Sequence, residues 1–119
     1  MYTISKQFHF SASHQLVGLP PEHQCARLHG HNYIVELVLQ AEQLNKHGFV
    51  VDYLDLKPFK AYIDTTLDHR HLNEIIPGPT TAENLACHLY QWAKQHWPQV
   101  TAVRVSETPS TWAEYRETA

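Results

Sequence analysis

Between Thr3 and His14 the side chains alternate: Phe8, Phe10, Ala12 and His14 fall on one side, His9, Ser11 and Ser13 on the other. A period of two predicts a strand with one buried face. Leu19-Pro20-Pro21-Glu22-His23 then reads as a loop. A second strand is predicted from His31 to about Gln40, rich in Tyr33, Ile34, Val35, Leu37, Val38 and Leu39. Its even positions mix Asn32, Ile34, Glu36, Val38 and Gln40, which suits a sheet with one face only partly covered. After Gly48 the period lengthens. Leu56, Phe59, Ile63 and Leu67 recur at helical spacing, with Asp55 expected as N-cap and Pro58 in the first turn, where a missing N–H costs little.

Asp68-His69-Arg70-His71-Leu72-Asn73 reads as the exit from that helix, and Pro77-Gly78-Pro79 as a break. Thr80 and Glu83 have capping-box spacing ahead of a second helix, whose stripe is Leu85, Ala86, Leu89, Trp92 and Ala93 and whose end is marked by Pro98. Val103 and Val105 alternate with polar neighbours in a strand expected from Val100 to Glu107, and a last strand is expected from Trp112 to Arg116. The order strand, strand, helix, helix, strand, strand predicts an α+β fold, a four-stranded antiparallel sheet with two helices on one face.

The 119 residues fit one domain, residues 1–119, and a hydrophobic fraction of 43% supports a real core. The net charge of -3 leaves no excess of Lys and Arg to neutralise phosphates, so a general nucleic-acid partner is not expected. No apolar run approaches the roughly 20 residues that span a bilayer, and the first residues lack the features of a signal peptide. Two cysteines, Cys25 and Cys87, suggest reduced thiols and a cytoplasmic protein. Histidine is the outlier, with ten copies scattered along the chain. Imidazole is the commonest metal ligand and titrates near neutrality, so metal or acid–base chemistry becomes the leading expectation.

Three constellations carry candidate chemistry. His29-Gly30-His31 lies on an extended segment, where residues two apart project to one side and can grip one ion. His14, near the end of the first strand, can bring a third imidazole. Three imidazoles with an open fourth position describe a catalytic zinc site; Cys25 as fourth ligand would describe a closed structural one, and three ordinary strand histidines would bind nothing. Cys25 with Asp68-His69 is the second group: a thiol near imidazole is available as thiolate, and a carboxylate can orient an imidazole. The plainer alternative is a loop cysteine plus an Asp-His helix terminus. Glu107, late in the third strand, could accept two parallel hydrogen bonds from a guanidine-like ring edge, or simply face solvent.

Read in order, Phe10-Ser11-Ala12-Ser13-His14, Cys25-Ala26-Arg27-Leu28-His29-Gly30-His31-Asn32-Tyr33, Leu67-Asp68-His69-Arg70-His71-Leu72-Asn73, Pro79-Thr80-Thr81-Ala82-Glu83-Asn84-Leu85 and Val105-Ser106-Glu107-Thr108 resemble the 6-pyruvoyltetrahydropterin synthase superfamily over nearly the whole chain. The Cys-x-x-x-His-Gly-His spacing is similar to the bacterial 6-carboxytetrahydropterin synthases of queuosine (7-deazaguanine) biosynthesis. The resemblance implies zinc held by His14, His29 and His31. It implies Cys25 as proton acceptor, Asp68 and His69 as a relay, and Glu107 as the pterin anchor that some descriptions also place in the relay. Arg27 is a candidate for the substrate's triphosphate, with an exposed surface arginine as the alternative. The fold implied is the tunnelling fold, with sheets joined into a barrel in a homohexamer of two trimers and active sites between subunits. The reaction implied converts 7,8-dihydroneopterin triphosphate to 6-carboxy-5,6,7,8-tetrahydropterin with release of acetaldehyde and triphosphate, against a 6-pyruvoyltetrahydropterin product or a non-catalytic zinc-stabilised pterin-binding protein.

Overall fold

The computed structural model describes residues 1–118 and shows one four-stranded antiparallel sheet in the order β1-β2-β3-β4. β1 (Tyr2–His14) and β2 (His29–Ala41) are each 13 residues long and pair throughout, from Tyr2 opposite Ala41 to His14 opposite His29. β3 (Val100–Thr108) pairs with β2, and β4 (Thr111–Tyr115) closes the second hairpin. Each strand lies within two residues of the expectation. His29 enters the ladder, which the prediction had left outside it.

Alternation decides which face is buried. Phe8, Phe10, Tyr33, Val35, Leu37, Val103 and Val105 turn toward the helices and are at most 5% exposed. The opposite face carries Gln7, Glu36, Arg104 and Glu114, joined by ion pairs of 3.0 Å (Arg104 to Glu36) and 3.6 Å (Arg104 to Glu114). The partly covered face expected from β2 is this one.

α1 (Lys57–Tyr62) and α2 (Ala82–His96) cover the apolar face. Leu56, Phe59, Ile63 and Leu67 are fully buried as the spacing predicted, and Phe8 meets Phe59 edge to face at 5.0 Å. Burying side chains of this size stabilises by about 1.5–3 kcal/mol each. Two details depart from expectation. Asp52, not Asp55, caps the segment by accepting from Leu54 N–H, because a 3-10 turn over Tyr53–Leu56 lengthens it at the start. Ile63–Leu67 continues α1 as a π turn, closed by a hydrogen bond from Asp68 N–H to the Ile63 carbonyl at 2.9 Å. The second helix is capped by Thr81, which accepts from Asn84 N–H, one residue after the expected Thr80. No helix among the described residues is long and apolar enough to cross a membrane.

Candidate metal centre

The antiparallel register brings the three strand histidines together. His14 stands directly opposite His29 and Ala12 opposite His31, all on the helix-covered face. Ala12, small and 7% exposed, leaves the space beside His31 open. One ring nitrogen from each of His14, His29 and His31 falls within 4.8 Å of the others, and the ring centroids are 4.5–5.0 Å apart.

Backbone carbonyls fix how these rings point. His14 Nδ1 donates to the Thr80 carbonyl at 2.8 Å, and His29 Nδ1 to the Arg27 carbonyl at 2.7 Å. A carbonyl only accepts, so each Nδ1 carries the hydrogen, and Nε2 is the nitrogen left to offer a lone pair to an ion. The two Nε2 atoms lie 2.9 Å apart. Two lone pairs at that distance repel unless an electrophile lies between them, and orienting carbonyls behind ligating imidazoles are the usual support of a metal site. The donor set therefore fits a borderline-soft divalent ion such as zinc. Burial holds the pKa of His14 and His31 below the ordinary value of 6.5, for both mainly through desolvation, which keeps them neutral and able to ligate. Among the described residues Cys25 stands outside the group of clustered ligating atoms.

Glu107 borders the same space. Its Oε2 lies 3.7 Å from His31 Nε2 and 3.9 Å from His14 Nε2, buried and without a hydrogen-bond partner among the described residues. The β3–β4 ladder slips between Val105 and Thr108, which frees Glu107 from regular pairing where it meets the histidines. Tyr33 is the second such group: 1% exposed, its hydroxyl also has no partner among the described residues, and its pKa is raised by burial and then by the Glu107 charge. A cleft of about 840 Å³ is bordered by His31, Tyr33, Asp68 and Glu107.

Asp68 and His69 meet as expected, His69 Nδ1 to Asp68 Oδ2 at 3.0 Å. The other Asp68 oxygen accepts from Ser11 N–H at 2.9 Å; that bond first, and His69 next, hold the carboxyl below its ordinary value. His69 has φ +58° and a side chain 81% exposed, so its ring projects outward. Its backbone N–H is tied to the Ser11 carbonyl at 2.6 Å. Cys25 lies on a 3-10 turn (Gln24–Ala26), half-buried, and among the described residues no hydrogen bond links its thiol to Asp68 or His69. Arg27 is exposed, and what it contributes to the centre is its backbone carbonyl rather than its guanidinium.

Sequence reasoning did not single out Tyr33, or the carbonyl of Thr80. A backbone oxygen leaves no side-chain signature. The signal for Tyr33 was available: a hydroxyl on an inward position of a buried strand asks for a partner.

A family model described as 6-pyruvoyl tetrahydropterin synthase matches residues 3–118. Over 124 residues the chain is 31% identical to a 6-carboxy-5,6,7,8-tetrahydropterin synthase of Synechocystis, covering 97% of this chain and 93% of that protein. Over a shorter stretch of 71 residues it is 39% identical to a dihydroneopterin monophosphate aldolase of Pyrococcus furiosus, 60% of each chain. Among solved structures, the 6-pyruvoyl tetrahydropterin synthase of Caenorhabditis elegans superposes with a TM-score of 0.86 at 27% identity, covering 98% of this chain and 96% of that one.

Proposed function

The chain belongs to the 6-pyruvoyl tetrahydropterin synthase family, a family of lyase-type pterin enzymes, and from that premise we propose that it is a zinc-dependent 6-carboxytetrahydropterin synthase acting on dihydroneopterin triphosphate in queuosine biosynthesis. The observation that carries the reading is the convergence of one ring nitrogen from each of His14, His29 and His31, two of the rings oriented by backbone carbonyls, with the Glu107 carboxylate beside them. In favour of the carboxy product over the pyruvoyl one stand the three residues between Cys25 and His29-Gly30-His31 and the whole-length likeness to the Synechocystis protein.

In this reading His14, His29 and His31 hold zinc, which supplies Lewis-acid polarisation of the substrate's side-chain hydroxyls and eases loss of the neighbouring protons. Glu107 accepts hydrogen bonds from the ring edge and so sets where the side chain lies. Cys25 takes the carbon-bound proton. His69, its Nδ1 held by Asp68, exchanges protons through Nε2. Triphosphate is eliminated, two electrons and two protons pass from the side chain to the dihydropterin ring, and one water is consumed as the carbon chain is cleaved to leave the 6-carboxyl group and acetaldehyde. Arg27 is one cation for the triphosphate. The cleft of about 480 Å³ bordered by Ser11, Ser13, Asn32, His69, Arg70 and His71 offers a denser set of donors for it.

Because the Cys25 thiol and the outward-facing His69 do not meet within one chain, the relay in this reading is completed between subunits. Incubation with dihydroneopterin triphosphate, with and without chelator, tests the assignment by mass spectrometry. 6-Carboxytetrahydropterin plus acetaldehyde, lost on chelation, is expected. A product that keeps its three-carbon side chain would make the chain a 6-pyruvoyl synthase, and unchanged substrate would make it a binding protein. Cys25→Ala is expected to keep its zinc and lose turnover.

A further inference from the structure

Two buried polar atoms beside the imidazoles have no hydrogen-bond partner among the described residues, the Tyr33 hydroxyl and Glu107 Oε2. One is a donor and the other an acceptor. Ile34 pairs with Ser106, so Tyr33 and Glu107 occupy the next cross-strand positions, on the helix-covered face. Residues so placed are side-chain neighbours. The packing of Tyr33 needs only a ring: it lies parallel to Phe10 at 4.8 Å with 8° between planes, and the edges of His31 and His14 meet it at 5.5 and 6.2 Å. Phenylalanine would fill this space equally well. A hydroxyl left buried and unpaired is costly, and Glu107 is the acceptor at the neighbouring cross-strand position.

We propose that Tyr33 is the positioning residue for Glu107: in the ligand-bound site its O–H donates to Oε2 and fixes the direction in which the carboxylate meets the pterin ring. A carboxylate oxygen has two lone pairs, so Oε2 can take the Tyr33 hydrogen and still accept from the ligand. This deepens the proposed function and rests on its reading of Glu107 as the ring's anchor. Tyr33 itself need not touch the substrate.

The test uses zinc-loaded protein titrated with neopterin, which has the pterin ring and hydroxylated side chain but no phosphate. Wild type, Tyr33→Phe, Glu107→Gln and the double variant are compared, with zinc content and melting temperature measured for each. Tyr33→Phe is expected to weaken neopterin binding about tenfold while zinc stoichiometry and melting temperature hold, and to add less than twofold on a Glu107→Gln background. The wild-type affinity in Tyr33→Phe, or a full second tenfold loss in the double variant, would overturn the inference and leave the anchor reading intact. Unchanged binding by Glu107→Gln would overturn both. A fall in zinc content in Tyr33→Phe would show the hydroxyl serving the metal ligands instead.

Discussion

His14 differs from its two neighbours in being 1% exposed, while His29 and His31 are partly open. Replacing it with Ala removes one of the three imidazoles proposed to hold zinc and strands the Thr80 carbonyl, so His14→Ala is expected to lose zinc and also stability, about 1–3 kcal/mol from the orphaned group. His29→Ala is expected to lose zinc with less effect on the fold; metal analysis and thermal melting separate the two. The acid response follows from the same burial. Folding holds His14 and His31 below 6.5, so as pH falls through that value the unfolded chain takes up more protons than the folded one and stability drops. Asp68 adds a second loss below 3.8, the value from which its folded state is depressed. Metal-free protein should therefore melt at a steady temperature above neutrality and lower from about pH 6.5 downward. A flat profile from pH 7 to 5 would contradict this. At this scale the histidine cluster was legible in the sequence because His-x-His spacing and strand alternation fix the direction of its side chains. Which nitrogen faces the centre was not, since it depends on carbonyls of Arg27 and Thr80 brought in from loops.

The helix exits show where element-level reading reached its end. Leu56, Phe59, Ile63 and Leu67 identified the buried stripe correctly, because burial of one helical face leaves a periodic mark. The π turn at Ile63–Leu67 left only a faint one, the uniform spacing of four between Phe59, Ile63 and Leu67. Its effect is to end the helix so that Asp68 reaches Ser11 N–H and His69 enters the left-handed region. Such turns are frequent at functional sites. His69→Gly would relieve a conformation that costs a non-glycine residue roughly 1 kcal/mol, so it should melt no lower than wild type while losing turnover. A large drop in melting temperature would show the ring to be structural. Thr81→Ala, which removes the true N-cap of α2, is expected to cost about 1 kcal/mol, whereas the same change at Thr80 leaves the cap bond in place. The sequence put the cap one residue early because Thr80 has the right side chain; the fold spends that residue's carbonyl on His14 instead.

The whole molecule is longer than a chain of its size requires. Its radius of gyration is 15.4 Å and its extents are 55 × 29 × 25 Å, against roughly 13.5 Å expected for a compact domain of this length. The β1–β2 hairpin accounts for the length, and β1 and β4 stand at the two edges of the sheet. Long edge strands invite pairing with other chains. Together with the proposed relay, whose Cys25 and His69 share no hydrogen bond among the described residues of one chain, this predicts self-association, checked by light scattering, and complementation: mixing refolded Cys25→Ala with His69→Ala should restore part of the activity that neither has alone. Two inactive variants that stay inactive after co-refolding would place both residues in the same subunit's site. The four-stranded sheet with its helices was legible because each element has its own period, whereas contacts between copies leave no period to read. The Thr80 carbonyl, one residue ahead of the α2 cap, ties His14 to a helix that spans the back of β3 and β4. Loading or stripping the ion should thus be felt as a change in the tension of that tether, recorded as slower or faster amide exchange at Asn84 and Leu85, well away from any atom that touches the metal.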